Sequence, residues 1–392
     1  MRRRIVAGNM ASCYTGMGGF MSDLKNTVYA PFNEMHEFMR KTFAAAGVPP
    51  EEAAICADVL IESDKRGIDS HGVGRFKPIY LDRIKEGIQF VKTNFEIIRE
   101  TPSTAVIDGH DGMGHVISVR AMKMAIEKAK KCGLAMTVVR NSTHYGIAGY
   151  YALMAAKENM IGFTGTNARP SIAPTFGVEN MLGTNPLTIG FPTDEDFPFV
   201  IDCATSIAQR GKIEHYARIN KTMPAGWVID DRGRAVTDPH IALKGLTAGT
   251  CALTPLGGIG EETGGYKGYG WATVVEVLSA ALQGGSFLKA LTGIAPDGSK
   301  RPYHLGHWFI AIQVSAFTEP DAFKKTAGDI LRELRASTKA EGQTRIYTAG
   351  EKEYLAFLER SKTGIPLNDA VRKSLEDARN EWKVDFTFSW EK

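Results

Sequence analysis

Between Phe95 and Asp202 the chain alternates short apolar runs with helical periodicity, yet no turn in that series carries a phosphate fingerprint. Phe95–Arg99 and Thr104–Asp108 read as strands around the turn Thr101-Pro-Ser103. Val116–Lys131 reads as a helix stopped by Gly133, and Leu134–Val139, Met160–Thr164, Leu187–Phe191 and Phe199–Asp202 read as further strands. Alternation alone permits a doubly wound parallel sheet. A dinucleotide-binding sheet of that kind carries Gly-x-Gly-x-x-Gly after its first strand, to bring backbone close to the diphosphate. Here Gly258-Ile-Gly260 and Gly268-Tyr-Gly270 both lack the third glycine, and the P-loop pattern is absent. The expectation is a mixed α/β unit of non-Rossmann type.

Helical patterns flank it. In Pro31–Ala46, Phe32, Met35, Phe38, Met39, Phe43 and Ala46 recur at helical spacing, closed by Gly47 and Pro49. Pro50 opens a second helix with Glu51 and Glu52 in its first turn, running to Lys65 and stopping at Gly67. Phe76–Glu86 forms a third. Later come a helix near Ile207–Ile219, a hairpin-like Trp227–Gly233, and Ala272–Leu282, apolar on most faces and so expected to be buried. Beyond residue 300 lie a strand, Trp308–Val314, and helical segments near 320–336, 351–361 and 367–382. The expected organisation is an extension (1–27), a helical domain built from both ends (28–100 and 301–392), and an α/β domain (101–300).

The 392 residues are too many for one ordinary core. A net charge of +3 gives no reason to expect nucleic acid or an anionic membrane as partner. No apolar run approaches the roughly 20 residues that span a bilayer. The five cysteines contain no Cys-x-x-Cys pair, and the nine histidines do not group at ligand spacing, so neither a disulfide framework nor a metal site is expected. A reducing, cytoplasmic setting follows. Met1–Thr27 has four basic residues and one acid, Asp23. It reads as an organelle-matrix presequence, or as an unstructured terminus or expression remnant.

Two His-Gly loops hold the chemistry. Asp69-Ser-His-Gly-Val-Gly-Arg-Phe76 lies between the second and third helices, and Asn141-Ser-Thr-His-Tyr-Gly-Ile-Ala-Gly149 follows a strand. His71 and His144 are candidate proton donors, since imidazole titrates near working pH; the alternative is that each satisfies local backbone groups. Ser70 is placed to orient His71, and Tyr145 to shape the pocket around His144. With Ser70 as cap of the third helix, Arg75 falls in its first turns and suits a substrate carboxylate, or else is a solvated arginine. The turns Gly183-Thr-Asn-Pro186 and Thr166-Asn-Ala-Arg-Pro170 offer amides to a ligand, or are only turns. Asp202 ends an apolar strand, either as a charge relay or cofactor ligand or as cap of the following helix. Seven glycines crowd Gly257–Gly270, where Lys267, framed by tyrosines, suits a phosphate; a mobile loop is the rival.

Ser70-His-Gly-Val-Gly-Arg75, Asn141–Tyr151, Gly183-Thr-Asn-Pro-Leu187, Asp202-Cys-Ala-Thr-Ser206 and Gly265-Tyr-Lys-Gly-Tyr-Gly270 together resemble the type 2 malate/L-lactate dehydrogenase family. The likeness runs in order from Pro31 to the C-terminus. It implies a non-Rossmann nicotinamide-binding fold with a mixed sheet, a homodimer, and NAD (or NADP) as cofactor for a 2-oxo/2-hydroxy acid. By the resemblance His71 is the proton donor oriented by Ser70, His144 the second histidine, and Arg75 the carboxylate clamp. Thr184 and Asn185 lie near nicotinamide or substrate, and Asp202 joins the catalytic set. Tyr145, Gly146, Pro198, Phe199, Val200, Ile201, Asp202, Cys203, Ala204, Tyr266, Lys267, Gly350, Glu351 and Lys352 match dinucleotide contacts. Cys203 stands where relatives often carry methionine. The wording His144-Tyr-Gly-Ile-Ala-Gly-Tyr-Tyr151 resembles the malate/lactate branch, which implies NAD-dependent malate dehydrogenase. The alternative is an NAD(P)H-dependent reductase of another 2-oxo or 2-imino acid, of lactate, sulfolactate, ureidoglycolate or diketogulonate type.

Overall fold

A computed structural model describes residues 26–391, so the expectations for the N-terminal extension fall, apart from its last two residues, outside the described residues. The chain runs β1 (Val28–Ala30), α1 (Phe32–Ala45) and α2 (Pro50–Lys65) into a 3-10 turn (Val73–Arg75) and a π-helical turn (Phe76–Leu81) that continues as α3 (Asp82–Lys85). Then follow β2 (Glu96–Glu100), β3 (Thr104–Asp108), α4 (Gly114–Cys132), β4 (Leu134–Ser142), α5 (Gly149–Lys157), β5 (Met160–Thr166), β6 (Leu187–Phe191) and β7 (Phe199–Cys203). Next come α6 (Arg210–Arg218), β8 (Val228–Asp230), α7 (Pro239–Ala248), β9 (Cys251–Leu253) and α8 (Gly265–Ala280). The described chain closes with β10 (Leu305–Gln313), α9 (Pro320–Ala336), α10 (Glu351–Thr363), β11 (Ile365–Leu367) and α11 (Asp369–Glu381).

The seven-stranded sheet has the order β2-β3-β4-β10-β5-β6-β7. Only β3 and β4 are parallel; every other neighbour is antiparallel. A mixed sheet without a βαβαβ half has no switch point for a Rossmann diphosphate loop, which accounts for the missing glycine fingerprint. Although β10 lies beyond residue 300, it forms the middle of this sheet rather than part of a helical unit. Its buried residues serve both faces. Phe309 packs among Ile117, Met122 and Tyr151 under α4 and α5, whereas Trp308 packs with Val138 and Val275 under α8.

A separate core joins both ends of the chain. Met35, Phe38, Met39 and Phe43 of α1 meet Phe76 and Tyr80 together with Leu375 and Phe388. The heptad-like apolar face of α1 therefore has its partners some 340 residues away in sequence, bound by the β1–β11 ladder. Gly133 ends α4 in the left-handed conformation (φ 81), which a side chain would strain.

Some expectations need correction. The segments that became α5, α7 and β9 were not foreseen, and α8 begins at Gly265, inside the glycine-rich stretch. Nor is α8 buried all round: Val274 is 43 % exposed and Val277 51 %, on the face turned away from the sheet. The third helix starts as a π turn with no side-chain cap, so Ser70 has another use.

Candidate active site

Two loops meet where the terminal helices touch the sheet. The first leaves α2 and is held from beneath by the buried Asp64, whose Oδ2 accepts the Val73 N–H at 2.7 Å. Arg360 of α10 donates to the Asp64 carbonyl at 2.6 Å and forms an ion pair with Asp69. Burial, then Asp69, raises the Asp64 carboxyl above the usual carboxylate range. On this base Ser70 Oγ lies 2.8 Å from His71 Nδ1, and Arg75 Nε donates to the Ser70 carbonyl at 2.8 Å. The two terminal nitrogens of Arg75 have no protein partner among the described residues, which leaves a guanidinium edge free for a carboxylate.

The second loop follows β4. Thr143 Oγ1 donates to the Gly112 carbonyl (2.7 Å) and accepts the Gly114 N–H (2.9 Å), which fixes the loop against the start of α4. His144 then stacks on His71, with ring centroids 5.7 Å apart and planes at 17°. The phenol of Tyr80 lies 2.7 Å from His144 Nδ1, and the Gly146 N–H donates to the same nitrogen at 3.3 Å. A backbone N–H can only donate, so Nδ1 is an acceptor and the neutral ring carries its proton on Nε2. Tyr80 holds its proton firmly because burial raises its pKa.

Both imidazoles are kept neutral. Burial, helped by the Arg75 charge, lowers the His71 pKa to about 4. His144 is also held well below the imidazole range, by burial first and then by His71, Arg83, His115 and Arg75. Beneath them His115 is fully buried, its ring 4.6 Å from that of Tyr80, and burial lowers its pKa to about 3.

There is no room for a side chain where α4 meets this loop: a Cβ on Gly114 would lie 2.3 Å from the Thr143 carbonyl and 2.5 Å from that of His144. Gly114→Ala is therefore expected to destabilise the protein by about 1–3 kcal/mol, as overpacking does. It should also lower turnover, because the obstruction pushes directly on His144. Thermal unfolding and initial rates check this; an unchanged melting temperature would contradict it.

From the histidines a continuous strip runs to the sheet edge. Asp202 accepts the Gly149 N–H at 2.6 Å and the Thr188 hydroxyl at 3.0 Å, so it caps α5, which starts five residues after His144. It was expected to cap the following helix if it capped any; neither histidine is among its hydrogen-bond partners. Its strand, β7, is an edge strand, with Ile201 exposed and Phe199, Val200, Cys203 and Ala204 half-buried. Gly350 abuts it, since a Cβ there would lie 2.7 Å from the Pro198 carbonyl. At the other end the Thr205 N–H donates to Thr184 O (2.9 Å), and Leu256 N–H donates to Thr205 O (2.7 Å), which leads to Tyr266 and Lys267 in the first turn of α8. Segments as far apart in sequence as Thr184 and Gly350 thus lie end to end. An open strand edge finishing at a helix N-terminus with a lysine fits a dinucleotide with its diphosphate at the helix.

Four residues depart from their expected use. Tyr145 turns into the core, 2 % exposed and stacked on His307 at 4.5 Å, so its ring does not shape the pocket. The Asn185 side chain is buried and donates to Glu276 Oε2 (2.7 Å) and the Ala272 carbonyl, tying its turn to α8. Glu351 is buried in an ion pair with Arg345, and Lys352 lies over the Tyr347 ring at 4.9 Å. Sequence reasoning missed Tyr80, which reads as one more apolar position of a helix. Among the described residues no group of three or more His, Cys, Asp or Glu could hold a metal ion. No described helix is long and apolar enough to cross a membrane.

The family model described as malate/L-lactate dehydrogenase matches residues 30–376. The chain is 42% identical over 353 residues to a malate dehydrogenase of Pyrococcus horikoshii, covering 90% of this chain and 94% of that one. It is 39% identical over 338 residues to an L-sulfolactate dehydrogenase of Methanocaldococcus jannaschii (86% and 92% covered). The solved malate dehydrogenase of Entamoeba histolytica superposes with a TM-score of 0.89 at 45% identity, covering 93% of this chain and 100% of that one.

Proposed function

The chain belongs to the malate/L-lactate dehydrogenase family, and from that premise we propose that it interconverts (S)-malate and oxaloacetate with NAD. A dehydrogenase of malate/lactate type acts on a 2-hydroxy or 2-oxo acid with a nicotinamide cofactor. The observation that carries the finer reading is the pair of stacked, differently held imidazoles beside a guanidinium with a free edge.

In this reading Arg75 grips the carboxylate next to the reacting carbon. His144, fixed as the Nε2–H form by Tyr80 and Gly146, donates a hydrogen bond to the substrate oxygen. His71 moves the proton: Ser70 Oγ can accept from or donate to its Nδ1, so that contact persists in both protonation states. The nicotinamide, when bound, supplies or accepts the hydride. Pro198–Ala204, Gly350 and the start of α8 with Lys267 would hold the dinucleotide, while Thr184 would border the nicotinamide. Asp202 supports the loop through α5 rather than touching the acid.

Initial rates with a panel of 2-oxo acids, each with NADH and NADPH, test this. Oxaloacetate with NADH should give the highest kcat/KM. A higher value for sulfopyruvate or an imino acid would favour the alternative reductase reading, which the sulfolactate relative supports. Absence of turnover with every acid would sink both.

We also infer a homodimer. Trp271, Val274 and Val277 are exposed on α8, and Val277 and Phe287 line a cavity of about 480 Å³ together with Met181, Tyr269 and Leu288. That much apolar surface on α8 and the loop after it suits a second copy. Sedimentation should give twice the chain mass, and Val277→Asp should shift it toward one; a monomeric parent protein would refute the inference.

A further inference from the structure

One half-buried cation, whose charge reaches His144, has no assigned use. Arg83 lies on α3, one helical turn after Tyr80, on the face that carries the Tyr80–His144 hydrogen bond. Its guanidinium lies over the ring of Tyr303, with Cζ 4.5 Å from the centroid. That ring is itself fixed: it packs so tightly on Gly293 that a Cβ there would come within 2.6 Å of it.

The Arg83 guanidinium is half-buried and makes no hydrogen bond or ion pair among the described residues. The carboxylate whose charge reaches it, Glu86, is committed to Lys300 at 2.5 Å. The other charge near it is positive, Arg169, on the turn after β5. Burial, with Arg169, lowers its pKa, so the site as it stands disfavours a cation and is relieved by an anion. Stacking uses the face of the guanidinium and leaves its in-plane N–H fork open, the geometry that takes a carboxylate or sulfonate bidentately.

We propose that Arg83 anchors the distal anionic group of the acid, opposite the carboxylate held by Arg75, and so selects doubly charged 2-oxo acids over singly charged ones. This rests on the reading of the site as that of a 2-oxo acid dehydrogenase. Arg75 and Arg83, whose charges both reach His144, would then span the substrate, with the reacting carbon between them.

The test compares kcat/KM for oxaloacetate and pyruvate, which differ by one carboxylate, with NADH as reductant. In Arg83→Gln the ratio of the two should fall at least 30-fold, and Arg83→Lys should recover part of it. Arg75→Gln should lower both values and hold the ratio within about threefold. A ratio unchanged in Arg83→Gln overturns the anchor. The second measurement does not depend on turnover: succinate should raise the melting temperature of the unmodified protein more than butyrate does at equal ionic strength. Arg83→Lys should narrow that difference. If succinate and butyrate act alike on the unmodified protein, the anchor fails even where Arg83→Gln does not fold. If no 2-oxo acid is turned over but succinate still outperforms butyrate, the functional reading fails while the dicarboxylate site stands.

Discussion

Exchanging Arg75 for alanine is expected to raise the KM for the 2-oxo acid by about 30- to 1,000-fold while leaving that for NADH within about threefold. The first figure is the loss of a charge-assisted bidentate contact, on the order of 2–4 kcal/mol. The second follows from position, since the strip along β7 and α8 is assembled without Arg75, whose bond to the protein is to the Ser70 carbonyl. A second readout separates a substrate contact from a scaffold. The Arg75 charge helps to hold both His71 and His144 below the usual imidazole range, so its removal should move the pH limb of catalysis upward. Equal damage to both KM values, with an unmoved limb, would make Arg75 structural.

Much of this site was legible because its chemistry sits in glycine-bounded loops, where local sequence decides what is displayed. His71, Ser70, Arg75 and His144 could be picked out in that way, and the structure brings them together. Their partners were not legible, because each arrives from a distant element. Tyr80 lies 64 residues from His144, and nothing in the local pattern Phe76–Glu86 separates a core tyrosine from one bonded to an imidazole. Arg83 was likewise one cation of an amphipathic turn until Tyr303 was folded over it.

The same limit governs the fold. That β10 enters between β4 and β5 is a matter of pairing across more than 130 residues, and strand propensity says nothing of partners. Glycine misled in the opposite direction. In Gly257–Gly270 its abundance read as a loop, yet Gly265 and Gly268 lie within α8 because backbone presses on them: a Cβ on Gly268 would lie 2.1 Å from the Leu256 carbonyl. Their role is close packing rather than mobility.

The histidines give the other large effect. His71→Ala and His144→Ala should each cut kcat by about 10²-fold or more, the usual contribution of general acid–base catalysis. NADH binding, followed by fluorescence, should survive in both. Their pH profiles should differ. Burial and the Arg75 charge lower the His71 pKa to about 4, so at neutral pH it is unprotonated, as the base of the proposed malate oxidation would be. For oxidation, kcat/KM should therefore rise through about pH 4 and be level at neutrality. For reduction the donor must be protonated, so kcat/KM should fall as pH rises above that value. A bound acid sets a carboxylate against Arg75 and offsets the charge that depresses His71, so the limb in kcat should lie at higher pH than the limb in kcat/KM. His71→Ala should lose the limb, because the titrating group is gone. His144→Ala should keep it at lower amplitude, because a neutral hydrogen-bond donor contributes to rate without titrating. If the limb vanishes in His144→Ala and persists in His71→Ala, the two roles are exchanged; wild-type rates in both variants would remove the histidines from catalysis altogether.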